Sequence, residues 1–530
     1  MLVSSSYRAC PILLLCISFF LNLTSFSQNW TEKNESENYV ARHECGFVQI
    51  GDKFIMFGGR ESSQRLDVYD YANNTWEQGG VAPEEFNHFQ AIQYQGLIWV
   101  IGAFKTNSPN PEQNADYIYM YNPATVQWIQ GMEIPESRKR GSAGLAVYNN
   151  KFYLIGGNNN GHSGGYVSYF DEYNPNTGNW TSLNNAPRPR DHFQAAVYGD
   201  KLYAIGGRLT GGPGGLFEPQ VPEVDVYDFT TAQWSTLNTS NNLPNPRAGL
   251  GVTVFNNEIY TLGGETTFNR PNNGQVSIVE SLNPTTNSWT TQSSLNYPRH
   301  GFQPIVSGNT MYVAGGSSGG IVIRNMEYLG PDNATGAPNI NSTFTADETT
   351  KFFEYGPDFG TVTINIQLSN TGGTTGTYID DISISGTDYT LANTYTNRLI
   401  DVNSNITIQA ILNNTTQDTS LGIVTVTYNN TNTLTIALEG TLNPTLSVSS
   451  LQEMNQKIIV YPSPTKNSFS INQSVSKLQI YDLTGKLIKD FSGDFGDTHY
   501  FNVLELSDGL YIIKALNTNQ EQFTGKLLKE

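Results

Sequence analysis

The sequence predicts an all-β chain: a six-bladed β-propeller, then a β-sandwich, then a small C-terminal β-sandwich. Three observations carry that prediction. An eight-residue stretch recurs as YDYANNTW (69–76), YNPATVQW (121–128), YNPNTGNW (173–180), YDFTTAQW (227–234) and LNPTTNSW (282–289). An apolar run closed by a glycine pair recurs upstream, as FIMFGG (54–59), FYLIGG (152–157), LYAIGG (202–207), IYTLGG (259–264) and MYVAGG (311–316), with IWVIGA (98–103) as a degraded copy. The tryptophans of the first stretch fall 52 to 55 residues apart. A period near 50 residues with several short strands per unit is the signature of propeller blades.

Each unit reads as four strands. The first begins near an arginine, as in RDHFQAAVY (190–198) and RAGLGVTVF (247–255). The apolar run is the second, and its glycine pair lets the backbone turn where a side chain would clash. The third ends at tyrosine, Asn-Pro or Asp opens a turn, and the fourth returns with tryptophan. Six glycine sites exist, but the last unit, 299–330, runs out before a tryptophan. The stretch QNWTEKNESENYVARHE (28–44) matches NSWTTQSSLNYPRHG (287–301), so Trp30 is the sixth. The mature N-terminal strand is therefore expected to complete the last blade, making residues 28–333 a closed ring with no unpaired edge.

This Gly-Gly, Tyr and Trp order resembles the kelch family over about residues 28–330. Residues 334–445 alternate with period two between Gly/Asn turns, as in FGTVTINIQLSNTGG and LGIVTVTYNNTNTLTIALEG, which reads as an antiparallel sandwich. It resembles the immunoglobulin-like modules of choice-of-anchor or HYDIN-like type. Asp380 and Asp381 lie in no spaced oxygen-ligand loop and are read as an exposed strand end rather than a calcium site. After a linker at 446–456, YPSPTKNSFSI, LQIYDLTGKLI, LSDGLYIIKA and the terminal KLLKE resemble, in order, the C-terminal sorting domain of type IX secretion, a system of Bacteroidetes-type bacteria. Ser463 departs from the asparagine usual there. That resemblance implies that residues 457–530 engage the secretion machinery.

Residues 1–27 read as a signal peptide: Arg8, an apolar run too short for a comfortable membrane span, and small residues before Gln28. Cys10 and Cys16 leave with it, so Cys45 has no disulfide partner. No transmembrane helix is expected, and the protein is placed outside the cell or on its surface. A net charge of −18 argues against nucleic acid as a partner.

The starts of the first strands converge on a propeller axis. Sixteen residues before each first glycine stand Arg42, Phe86, Arg140, Arg190, Arg247 and Arg299, with His43, His88, His192 and His300 beside them. Two readings of the arginines stay open. They clamp an anionic ligand bidentately, or they pair structurally with Asp67, Asp171, Asp225 and Glu280, each nine residues before a tryptophan. The histidines lie in two registers offset by one residue, so neither a metal nor any other cofactor is expected. The leading function is recognition of a glycan or protein through the propeller face, with no catalytic residue. The competing class is a carbohydrate-active enzyme. Resemblance to copper-radical oxidases draws attention to Cys45, but His88 and Phe89 stand where the partner tyrosine is wanted. Resemblance to kelch-type sialic-acid epimerases draws attention to Glu265.

Overall fold

A computed structural model describes residues 29–443 and 458–530, apart from 37, 62, 108–110, 268–270, 358, 414–416 and 520. The signal-peptide and linker readings lie outside the described residues. Short 3-10 turns are the only helical elements among those described, and among the described residues no helix is long and apolar enough to cross a membrane.

Six four-stranded antiparallel sheets form a kelch-type propeller. Blade 1 runs Cys45–Ile50, Lys53–Gly58, Arg65–Asp70, Thr75–Val81 from axis to rim. Blades 2 to 5 begin at Ile92, Gly144, Gln194 and Gly251 and repeat that order. Blade 6 takes Ile305–Ser307, Thr310–Val313 and Glu327–Leu329 from the end of the repeat and Thr31–Glu32 from the chain start, with Thr31 opposite Tyr328. Trp30 is buried beside this joint, and its Nε1 donates to Ser293 O at 3.0 Å.

The eight-residue stretch is the hairpin between the third and fourth strands. Tyr69, Tyr121, Tyr173, Tyr227 and Leu282 sit directly across from Trp76, Trp128, Trp180, Trp234 and Trp289. The Tyr and Trp rings lie 5.1 to 6.0 Å apart in the four blades that have both, the cross-strand aromatic pair that steadies a sheet. The residue after each tyrosine, or after Leu282, is Asp or Asn, whose side-chain oxygen accepts the N–H two residues on: Asp70 from Ala72, Asn122 from Ala124, Asn174 from Asn176, Asp228 from Thr230, Asn283 from Thr285. Two residues before each tryptophan the backbone is left-handed, with φ between 55° and 69° at Asn74, Val126, Gly178, Ala232 and Asn287. Asparagine and glycine suit that conformation. Val126 tolerates it at a cost of roughly 1–2 kcal/mol.

The glycine pairs join the blades. The second glycine donates its N–H to the next blade: Gly59 to Phe86 O, Gly157 to Arg190 O, Gly207 to Arg247 O, Gly264 to Arg299 O and Gly316 to Arg42 O, all at 2.7 to 2.9 Å. A Cβ on Gly263 (φ 54°) would stand 2.4 Å from Arg299 O, so no side chain fits between the blades there.

The next unit is a two-sheet sandwich. One sheet orders Thr343–Ala346, Thr361–Thr371, Ser404–Asn413 and Tyr389–Leu391. The other orders Thr350–Tyr355, Asn432–Leu442, Thr419–Tyr428, Thr377–Ser385 and Arg398–Ile400. Alternate residues such as Ile364, Ile366, Leu368, Val424 and Val426 fill its core. Asp380, half-buried, accepts the Asn430 N–H at 2.7 Å, and burial pushes its carboxyl up to about 6. The sandwich packs on blades 2 and 3: Tyr378 Oη accepts the Met132 N–H (3.0 Å), Gly376 N donates to Gln95 O (2.7 Å) and Leu399 N to Pro175 O (2.6 Å). Gln95 and Pro175 lie in the turns after the first and third strands of their blades. Among the described residues, the opposite propeller face, formed by the loops entering the first strand and leaving the second, makes no hydrogen bond to the sandwich. The C-terminal unit stacks Val460–Tyr461, Ser468–Ile471 and Phe501–Asn502 on a four-stranded sheet around Phe469, Leu478, Ile480, Phe501 and Ile513.

Candidate functional site

The five arginines are buried and line neither cavity near the axis. Each guanidinium donates to the carbonyl of the glycine sixteen residues on: Arg42 to Gly58, Arg140 to Gly156, Arg190 to Gly206, Arg247 to Gly263 and Arg299 to Gly315, at 2.6 to 2.9 Å. Each also pairs with a buried acid on the third strand of its own blade: Asp67, Asp171, Asp225, Glu280 and Glu327. The arginines expected at the ligand are thus blade clamps. A buried guanidinium needs a carboxylate and carbonyls around it, and this arrangement turns the charge away from the mouth. Blade 2 replaces the pair by two rings, Phe86 against Tyr119, 5.0 Å apart. Tyr119 stands nine residues before Trp128, where other blades carry the acid. Glu327 escaped the sequence count because the tryptophan of its blade comes from the other end of the chain.

Two residues beyond each clamp position the chain reaches the axis. Glu44, His88, Ser142, His192, Gly249 and Gly301 all have φ between 50° and 67°. Their backbones form a closed ring of hydrogen bonds: Glu44 N to Gly301 O, His88 N to Glu44 O, Ser142 N to His88 O, His192 N to Ser142 O, Gly249 N to His192 O and Gly301 N to Gly249 O, at 2.6 to 3.0 Å. Four non-glycine residues hold a left-handed conformation to make it. Three glutamines from alternate blades fill the channel behind. Gln90 spans to Ala195 N and O, Gln194 to Phe302 O and Val252 N, Gln303 to Ala91 N and O, at 2.7 to 3.0 Å. About 30 Å³ of cavity remains there, so the axis is blocked to anything larger than water.

The open space is a cavity of about 270 Å³ at the mouth, on the face away from the sandwich, lined by His43, Arg60, Arg208, Phe217, Glu265 and His300 among others. Glu265 is buried and ion-paired to Arg208, and His300 Nε2 lies 3.5 Å from Glu265 Oε2 and 3.7 Å from Glu44 Oε1. His43 Nδ1 contacts Glu61 Oε1 at 2.6 Å. Burial pulls His43 down, but the Glu61 hydrogen bond and charge outweigh it and leave it above its ordinary value. Burial outweighs the nearby acids at His300 and lowers it. Burial pushes Glu265 up, but His300 and Arg208 more than compensate, so it stays ionised. Of the four predicted histidines, His43 and His300, one residue beyond the clamp, face this cavity. His88 and His192, two residues beyond, sit at the ring. His162, in the loop after blade 3's second strand, joins them: the His88–His162 and His88–His192 ring centroids are 5.0 and 4.8 Å apart. No repeat marks that loop, so no register in the chain points to it. Cys45 lies in the core between blades 1 and 6, its thiol pushed up to about 12 by burial, which makes it an inert packing residue.

Burial holds His88 and His192 well below the ordinary histidine value. With His300 also lowered, the unfolded chain takes up protons first as pH falls, so stability present above about pH 6.5 is lost below it. His43, raised, acts the other way but only above that pH. Denaturant melts of the propeller are expected to lose up to about 1.4 kcal/mol per pH unit for each of the three between pH 6 and 5. A flat profile there would show that these imidazoles accept protons in the folded state.

Two family models match parts of the chain. Residues 129–316 match a family described as the KLHDC2/KLHL20/DRC7 Kelch-repeats domain, and residues 459–530 match the secretion system C-terminal sorting domain. The chain is 28% identical over 316 residues to Kelch-like protein terF of Aspergillus terreus, covering 57% of this chain and 67% of that protein. It is 27% identical over 135 residues to Alpha-scruin of Limulus polyphemus (25% and 14%) and 24% identical over 270 residues to human Kelch-like protein 23 (50% and 44%). The chain therefore spans less than half of the latter two. The solved structure of YjhT aligns with a TM-score of 0.47 at 17% identity, over 57% of this chain and 98% of that one.

Proposed function

We propose that this chain, a kelch-repeat propeller carrying a C-terminal sorting domain, is exported by type IX secretion from a Bacteroidetes-type bacterium. It acts at the cell surface or in the medium as a binding protein for a glycan or protein ligand. The immunoglobulin-like sandwich serves as the spacer between propeller and sorting domain. The observation that carries the reading is the mouth cavity: one-ended, polar, bearing Phe217, and on the face the sandwich leaves free. Such a concave site, with an aromatic ring beside fixed charged groups, suits the alternating apolar and hydroxyl faces of a sugar or a polar peptide turn. Clamped arginines leave Arg60, whose side chain is about one-third exposed, and Arg208 as the basic groups of the mouth, so an anionic group on the ligand is placed there rather than on the clamp ring. Screening the exported chain against glycan and protein arrays, beside Phe217→Ala and Arg60→Ala, tests this. Binding that both variants retain undiminished places the ligand elsewhere.

A second reading rests on His300 standing between Glu44 and Glu265. A histidine flanked by two acids is equipped for proton transfer at a sugar carbon or oxygen. Solvent deuterium appearing in a carbohydrate incubated with the chain, and its loss in His300→Ala, is the result that would favour it.

A further inference from the structure

We propose that His88, His162 and His192 bind a late first-row divalent cation of the zinc type at the inner end of the propeller mouth. The three side chains come from blades 2, 3 and 4, and one donor atom from each lies within 4.8 Å of the others. Each Nδ1 is already engaged: His88 with Asn87 Oδ1 (2.5 Å), His162 with Glu112 Oε1 (2.6 Å) and His192 with Asp191 Oδ1 (2.5 Å). An imidazole that donates from Nδ1 offers its lone pair at Nε2, and an oxygen behind the ring is the arrangement that orients metal-binding histidines. Asp191 is itself held by the Thr210 N–H and hydroxyl, so the support is rigid.

A second, independent observation points to an occupant. His88 Nε2 and His192 Nε2 are buried and have no hydrogen-bond partner among the described residues. Two orphaned acceptors side by side are costly in a protein interior, and one cation satisfies both.

The third ligand is the adjustable one. Donors sharing a zinc at about 2.0–2.1 Å stand closer together than these do, so the cluster must tighten. His162 lies in a short turn at Gly161–Ser163 and its side chain is 17% exposed. Arg60 Nη1 lies 3.4 Å from His162 Nε2, while Arg60 also pairs with Glu112. An entering cation displaces this guanidinium, which is exposed enough to swing into solvent. Glu44 Oε1, 3.9 Å from His88 Nε2, offers a carboxylate beside the fourth position, and Glu112 and Asp191 offset the added charge. Three neutral imidazoles favour zinc, copper, nickel or cobalt over magnesium or calcium. The site adjoins the mouth cavity and shares His162, Arg60 and Glu44 with its lining, but cation uptake is read without any glycan or protein ligand and stands whether or not that reading does.

The test uses the full chain without a histidine tag, stripped by chelator, then titrated with Zn2+ by calorimetry and with Co2+ by visible absorption. One equivalent of each is expected, with Co2+ giving ligand-field bands. His162→Ala, at the solvent side of the cluster, should weaken binding at least 100-fold without changing the circular dichroism. Glu112→Gln should weaken it about 10- to 100-fold. No saturable uptake by the unaltered chain, or uptake with unchanged affinity in folded His162→Ala, overturns the proposal.

Discussion

Arg247→Ala is expected to lower the thermal midpoint of the propeller by about 10 °C. Its guanidinium is buried and donates to Gly263 O, Asn245 O, Thr261 O and Glu280 Oε2. Truncation leaves Glu280 buried with only Asn245 Nδ2 on its carboxylate and strips the carbonyls of a shared donor. Removing one partner of a buried pair costs about 3–5 kcal/mol, and in a domain of this size each kcal/mol moves the midpoint by about 2–4 °C. Blade 2 indicates the compensating change. Since Phe86 and Tyr119 replace charge by packed rings, the double variant Arg247→Phe with Glu280→Tyr should melt above Arg247→Ala, because swapping both partners for apolar groups is often near neutral. Calorimetry on the two variants checks both statements. A single variant that melts like the unaltered chain would remove the arginines from the list of blade clamps.

Trp30→Ala is expected to cost about 3–5 kcal/mol, the usual price of emptying a buried indole site. Deleting residues 29–34 goes further. It removes the pairing of Thr31–Glu32 with Glu327–Tyr328, the Lys33 N–H to Met326 O bond and the Lys33–Asp332 ion pair. What remains is an exposed edge strand, Glu327–Leu329, on a ring open between its two ends. The truncated chain should therefore lose several kcal/mol and self-associate on size-exclusion chromatography. Monomeric behaviour with an unchanged melting temperature would mean that blade 6 holds without its fourth strand.

Repetition made the propeller legible. A tyrosine (leucine in one copy), an Asx residue and a tryptophan at fixed spacing encode one hairpin, and five copies leave little room for another fold. The sixteen-residue count from arginine to glycine was equally visible, and its meaning is now plain: the arginine donates to that glycine's carbonyl. Its direction was not visible, because sequence does not show which side of a strand entry carries a long side chain. The acids nine residues before tryptophan held the answer, and Tyr119 opposite Phe86 confirmed it by exception. The shared HFQA of blades 2 and 4 hid two functions two letters apart, histidine for the axial ring and glutamine for the bridge behind it. Arg60, Arg208 and Glu265 each follow a glycine pair directly, so their register was visible in the repeat although its position at the mouth was not; only His162 comes from a loop where the repeat has no register.

The backbone ring and the three glutamines have a kinetic consequence. With the axis closed behind the histidines, arrival and departure share one route through the mouth. A molecule seated over the mouth would then act as a stopper for anything already held beneath it, slowing escape without touching it. Under such an arrangement the residence time of a small inner guest is set by the larger outer one, and the two would leave in the reverse of the order in which they came.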